Sequence, residues 1–392
     1  RSPTADRLRG EVLKKFPKAK LYSYEAINRD VQTAVNKSLL GAGVQPVVNL
    51  EKASRIFSLD CDFLGLDPVS EDGVAQFSKG RAADKPDEAD KMNRLYVVEN
   101  RYTLTGAMAD HRKAVAASQL ATAAALLAAK IDPSLAGSVS NLASAASPEL
   151  KIWVETAADD LLANKGKAVV LAGSRTDAAV QALAVAMNNA LGAFGSVIET
   201  YKATGNEAGS IKNLADAIAA GGVKTIVSLT AADPMFDAPS SLELARNIKE
   251  KKVVLVHLGL RLNATARAAN IHIPAAHYLE AWGDAVSLNG VYSIVQPMIQ
   301  PLFGGISEIE VLLALLDKKK FAVEVPKAGA APTAATDDPA YVAVRESFAT
   351  AAGGANEEKW NFTLRDGFLK GSQATPSAAT VNSAGIASFV AD

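Results

Sequence analysis

The sequence predicts an α/β protein made of two tandem Rossmann-like, doubly wound domains. Short β-branched or aromatic runs alternate with longer amphipathic stretches along most of its 392 residues, the signature of strand–helix units. In the second half the short runs, such as "KAVVLA" (167–172) and "KVVLVHL" (252–258), are continuously apolar, as parallel strands covered on both faces are. Gly173-Ser174-Arg175-Thr176 joins one run directly to a long helical pattern, as a strand-to-helix joint does.

Taken in order, "RSPTADRLRGEVLKKF" opens with Ser2 as a cap and Pro3 at the first helical position, and Leu8, Val12 and Phe16 share one helical face. Such a helix usually follows a strand, so the natural chain is expected to begin earlier. Strands are expected at "KLYSYE" (20–25), "RIFSLD" (55–60) and "RLYVVE" (94–99), with helices near 29–40, 69–79 and 117–130. "PSLAGSVSNLASAASPE" (133–149) reads as a linker or exposed edge. A helix over 148–163 leads to the strand 167–172, the turn 173–176 and a helix in "DAAVQALAVAMNNALG". Strands follow at 196–201, 223–229 and 252–258, separated by helices near 209–220 and 239–250. "AVEVPKAGAAPTAATDDP" reads as a Pro/Ala-rich linker, followed by helices near 341–352 and 357–369. The expected domains are 1–146, Rossmann-like without its first strand, 147–320, a second Rossmann-like domain, and 321–392, linker and helical tail.

Charge and cysteine content narrow the function. Lys and Arg number 41 and Asp and Glu 42, which argues against a nucleic-acid binder, since displacing counterions from phosphate needs excess positive charge. No apolar run approaches the ~18 residues of a membrane span. The single cysteine, Cys61, rules out an intrachain disulfide, a Cys-rich zinc site and a cluster held by this chain's thiolates alone. Asp60 and Asp62 flank it, which would raise rather than lower its pKa, so it reads as a small core residue.

In open α/β sheets ligands bind beyond the carboxyl ends of the strands. The residues to inspect are therefore 61–63, 99–101, 173–175, 230–233 and Gly259. Gly173-Ser174-Arg175-Thr176 offers helix-start amides to an anion, but it is neither GxGxxG nor GxxxxGK[ST], and a tight turn without ligand is the simpler reading. His272 and His277 lie five apart with Pro274 between them. Proline excludes the helix that an i, i+4 zinc pair needs, and "NIHIP" reads instead as a short strand. His111 and His257 are isolated in sequence, and there is no GxSxG elbow.

"MNRLYVVENRYTLTGAMADHR" (92–112), "HIPAAHYLEAWGDA" (272–285) and "VYSIVQPMIQPLFGGISEIEVL" (291–312) resemble the molybdopterin oxidoreductase superfamily. "KAVVLAGSR" (167–175) and "TAADPMFDAP" (230–239) resemble its third-domain elements, so the two domains would correspond to domains II and III of that family. "YSYEAINRD" (22–30), "RIFSLDCDFLGLD" (55–67) and "EEKWNFTLRDGFLKGS" (357–372) resemble one branch, the large iron–sulfur subunit of alternative complex III, a membrane-bound quinol:electron-acceptor oxidoreductase.

That resemblance implies an amino-terminal part with a molybdopterin-enzyme fold but no molybdenum cofactor. Iron–sulfur clusters would sit only in a ferredoxin-like carboxy-terminal part, which these residues do not match. It implies as partners that cluster domain and the other complex subunits, and a location on the periplasmic face of the inner membrane. In active relatives the corresponding strand-end loops approach the pterin dinucleotides. Asp62, Glu99, Arg101, Thr105, Gly106, Gly173, Ser174, Arg175, Asp233, His277 and Glu280 are thus candidates for a relict cofactor pocket, with no metal ligand assignable. Three readings follow: a cofactor-free scaffold, a fragment of an active bis-molybdopterin guanine dinucleotide oxidoreductase, or a Rossmann-type nucleotide-binding protein. For "HIPAAHYLEAWGDA" the expectation is a structural crossover, with Trp282 packed and His277 bonded inside.

Overall fold

A computed structural model describes residues 1–83, 85–202, 208–229, 232–317 and 338–390. Thr230 and Ala231, and the Pro/Ala-rich stretch up to residue 337, lie outside the described residues. The chain forms two units, and neither is continuous. One comprises Arg29–Ala203 with Thr375–Asp392, the other Arg1–Asn28 with Thr204–Ala374. The domains 1–146, 147–320 and 321–392 therefore do not coincide with the units. The strand assigned to the second domain, 168–172, pairs inside the first sheet.

The unit built on 29–203 contains β1 (Val44–Val48), β2 (Arg55–Leu59), β3 (Arg94–Glu99), β4 (His111–Ala114), β5 (Ala168–Ala172) and β6 (Ile198–Lys202). β4, β3, β2 and β5 form, in that order, an all-parallel sheet. Successive strand residues point to opposite faces, and both faces are covered. Ile56, Leu95, Val97 and Val169 pack with Phe77 of the helix Gly73–Arg81. Phe57, Leu59, Val98 and Val170 pack with the helices Leu120–Ile131, Pro148–Ala163 and Ala178–Ala190. Each such buried side chain contributes about 1.5–3 kcal/mol, which is why these strands read as apolar runs. The outer edge of β5 is closed by Asn188, whose amide accepts from Val170 N and donates to Val170 O, both at 2.8 Å, so the edge presents no free pairing template there.

Two expectations fail in this unit. The strand near 196–201 is not part of a parallel sheet: β6 pairs antiparallel with β1, a strand the sequence reading missed. Residues 133–149 are mostly exposed, as an exposed edge would be, but they are not a linker. They contain the helix Ser140–Ser144, and Val139 is fully buried with Leu142 and Ala143 packed against the same core; three apolar side chains among small polar ones suffice to dock the segment.

The other unit contains β7 (Thr225–Ser228), β8 (Val254–Gly259), β9 (Ile271–Pro274), β10 (Gly283–Val286) and β11 (Tyr292–Val295). β7, β8 and β9 form a parallel sheet, and β10 and β11 an antiparallel pair. The first helix, Pro3–Lys15, is capped by Ser2. It buries Ala5 and Leu8 in a core with Tyr292, Ile294, Phe348 and Trp360. Residues 20–25 are not a strand. Only Tyr22 bridges, to Gly209, because polar and charged neighbours leave the segment no apolar face to bury. Among the described residues no helix is long and apolar enough to cross a membrane.

Candidate functional site

The connection from β2 to β3 and β4 runs toward one edge of the sheet, and the chain then returns to place β5 on the other side of β2. The strand order reverses between β2 and β5, and a crevice at the carboxyl ends beside such a reversal is where open α/β sheets bind ligands. A cavity of about 310 Å³ lies there, lined by Asp60, Asn100, Arg101, Leu120, Arg175, Thr176 and Asp177 among others.

Each part of this crevice is fixed by local chemistry. Asp60 has a left-handed φ of 52°, a conformation that costs a non-glycine residue about 1 kcal/mol or more. The turn is held by Ser58, whose hydroxyl accepts from Cys61 N at 3.1 Å and donates to Cys61 O at 2.9 Å. The Asp60 side chain is only 4% exposed, and Arg175 reaches its Oδ2 at 3.8 Å. Burial pushes the Asp60 carboxyl upward, against the Asn100 amide and the Arg101 charge. Gly173 is required by packing, since a Cβ there would lie 2.1 Å from Asp60 O. Cys61 is buried, and burial, with Asp67 adding to it, raises its thiol far above its usual range, so it is the inert core residue expected.

The structure gathers many of the sequence-derived candidates around this crevice but assigns them unequal parts. Arg101 and Arg175 line it. The amide of Ser174 donates to Asp67 Oδ2 at 2.6 Å, and Asp177 caps the next helix by accepting from Val180 N. Asp62 accepts from Thr105 N and Oγ1 through Oδ1 and from Leu66 N through Oδ2. Burial raises its carboxyl, and these bonds more than offset that, leaving it below the usual carboxylate range. Glu99, 1% exposed, accepts from Arg112 Nε at 2.5 Å and Thr103 Oγ1 at 2.6 Å. A Cβ on Gly106 would lie 2.0 Å from its Oε1. Asp62, Glu99, Thr105 and Gly106 therefore tie the two strand-end loops together.

This doubly covered parallel sheet with its switch-point crevice decides the fold type. The fold is similar to those of two solved structures. Acetylene hydratase from Pelobacter acetylenicus superposes with a TM-score of 0.56 at 12% identity, over 75% of this chain and 51% of that one. The chain thus spans about half the length of acetylene hydratase. A formyltransferase/hydrolase complex (FhcABCD) from Methylorubrum extorquens, in complex with methylofuran, superposes with a TM-score of 0.52 at 14% identity, over 81% of this chain and 88% of that one. No family model and no curated protein matches the sequence.

The remaining candidates belong to the other unit. Asp233 accepts from Ala264 N, Thr265 N and Thr265 Oγ1 at 3.0, 2.8 and 2.5 Å, so it anchors the start of the short helix after β8. His277 and Glu280 form a capping box: His277 Nδ1 accepts from Leu279 N, and Glu280 accepts from His277 N and Leu302 N. Trp282 packs against Tyr341 and Trp360. Asp284 is buried and accepts from Ser2 Oγ, Thr4 N, Thr4 Oγ1 and Tyr292 Oη. In "HIPAAHYLEAWGDA" the acidic residues thus bind backbone amides and hydroxyls of the same unit.

Sequence reading missed two groups: Asp60, and the pair His257 and His272. Asp60 is the last residue of "RIFSLD", and only the fold turns it into the crevice. In sequence His272 pairs with His277 and His257 stands alone, whereas the parallel register of β8 and β9 sets His257 beside His272.

Proposed function

We propose that this chain is a cofactor-free relative of molybdopterin enzyme domains that serves as a scaffold in an electron-transfer assembly. The assembly would be a periplasmic quinol:electron-acceptor oxidoreductase of the alternative complex III type. The observation that carries the cofactor-free part is the occupation of the crevice by the protein's own carboxylates. A dinucleotide needs amide donors and positive charge at its phosphates. Here Asp67 takes the Ser174 amide, Asp177 takes the helix-start amide of Val180, and buried Asp60 lies beneath Arg175. Asp60 and Asp177 thus line the cavity with the two guanidiniums of Arg101 and Arg175, while Asp67 holds the Ser174 amide, where phosphates would need free amides and excess positive charge. A cavity of about 310 Å³ is also at the small end of ~300–1,000 Å³ ligand sites. This arrangement of carboxylates supports the cofactor-free reading.

The scaffold part draws on the sequence resemblance and on a run of exposed apolar side chains. Met298, Leu302 and Phe303 are 75%, 69% and 89% exposed. Their loop is fastened by amides of Met298 and Ile299 donating to Leu279 O. Fixed, exposed apolar surface of this kind suits permanent contact with partner subunits, here the ferredoxin-like cluster domain and its neighbours. The test is to produce the chain in a host that makes molybdenum cofactor, then measure molybdenum and released pterin fluorescence. The expected result is neither above background. Stoichiometric molybdenum or pterin would overturn the reading in favour of an active oxidoreductase fragment.

A further inference from the structure

At the carboxyl end of the second parallel sheet, Ser228, His257 and His272 stand in one row across β7, β8 and β9, in direct register and on one face. The two imidazole centroids are 5.4 Å apart. His257 is fully buried, and its Nδ1 lies 3.3 Å from Ser228 Oγ. That contact leaves Nε2 buried with no hydrogen-bond partner among the described residues, and Nδ1 of His272 is buried and unpartnered likewise. Native proteins rarely leave such atoms unsatisfied, because each costs about 1–3 kcal/mol. A Cβ on Gly259 would lie 2.5 Å from His257 Nε2, so the ring takes this position only because residue 259 is glycine.

We propose that His257 Nε2 and His272 Nδ1 bind a late transition-metal dication, Zn²⁺ or Cu²⁺. Neutral imidazole is the ligand such ions prefer. A ligating histidine characteristically donates its other N–H to a nearby acceptor that fixes the tautomer, the part Ser228 plays for His257. Two nitrogens at ~2.0–2.1 Å from a tetrahedral ion are roughly 3.4 Å apart, and the two ring centroids here are 5.4 Å apart. Water or an anionic ligand would complete the coordination. This site lies in the other unit from the crevice and is independent of the scaffold reading.

The test uses the metal-stripped 392-residue chain. Titration with Zn²⁺ should give one equivalent, and the Cu²⁺ form should show electron paramagnetic resonance hyperfine structure from two imidazole nitrogens. His257→Gln and His272→Gln should each weaken Zn²⁺ binding by more than about tenfold, and Ser228→Ala by about tenfold as loss of an outer partner does. His111→Gln with His277→Gln should leave binding unchanged. The spectrum of the unaltered chain decides the matter even where a variant fails to fold. No binding, coupling to one nitrogen or none, or binding that survives loss of both His257 and His272 overturns the proposal.

Discussion

Replacing Asp284 by alanine should be among the most damaging single changes in its unit. Its carboxylate is 5% exposed and accepts from Thr4 N at 3.1 Å, Thr4 Oγ1 at 2.5 Å and Tyr292 Oη at 2.7 Å, with Ser2 Oγ as a further donor at 2.5 Å. Thr4 and Tyr292 are themselves buried, so at least three donors would be stranded away from water. Each stranded donor costs about 1–3 kcal/mol, and some recover by admitting water, so the expected loss is about 3–5 kcal/mol. Urea unfolding followed by tryptophan fluorescence is a suitable assay, because Trp282 and Trp360 both report on this unit's core. Tyr292→Phe removes one of the stranded donors in advance. The double variant should therefore be less destabilised than the sum of the two single ones, by about 1 kcal/mol or more. A loss below about 1 kcal/mol for Asp284→Ala, or strict additivity with Tyr292→Phe, would refute the view that this carboxylate fastens the first helix to the hairpin β10–β11.

Two further outcomes are expected in the unit built on 29–203. Asp160 accepts from Arg55 Nε at 2.7 Å and from Arg94 and Tyr96 Oη at 2.8 Å. Burial raises its carboxyl, and these partners more than offset that, so its folded pKa lies below the ordinary value. Its contribution is therefore complete above the unfolded pKa of ~3.9 and is lost as pH falls through the lower folded value. Asp160→Asn should cost about 2 kcal/mol at pH 7 and flatten the acid limb of a stability–pH curve below pH ~4. An unchanged acid limb would count against it. Gly173→Ala should cost about 1–3 kcal/mol, since its Cβ would meet Asp60 O, whereas Gly137→Ala meets nothing within 4 Å and should be neutral to slightly stabilising, as chemical denaturation of the two variants will show.

The sequence reading located β2, β3, β5, β7, β8 and the long helices because their apolar periodicity is set by burial on one or two faces. It missed β1, β4, β10 and β11. Each of these is four or five residues long with mixed polarity, so it exists only through a partner distant in sequence. The same reason explains the misdrawn domains, since nothing local in "KAVVLA" says that its neighbour is β2 rather than β7. The strand-end rule led to the crevice, and Arg101 and Arg175 were legible from it. The decisive carboxylates were less so. Asp60 and Asp67 become opponents of phosphate only once the turn at Ser58 and the approach of Ser174 are known. His257 and His272 needed a parallel register that residue spacing alone does not supply.

The interleaving of the two units also governs when each of them can exist. During synthesis the first helix emerges long before Asp284 and Tyr292, and at about 5–20 residues per second it waits roughly 15–60 s for the carboxylate that caps it. The unit containing Arg29–Ala203 is finished meanwhile except for its last pieces, Ile386 and Val390, which join its core from beyond residue 374. Neither unit is whole before residue 374 has been made. Nascent chains stalled midway should therefore expose apolar faces to chaperones, and a single cut inside 29–374 leaves both units incomplete.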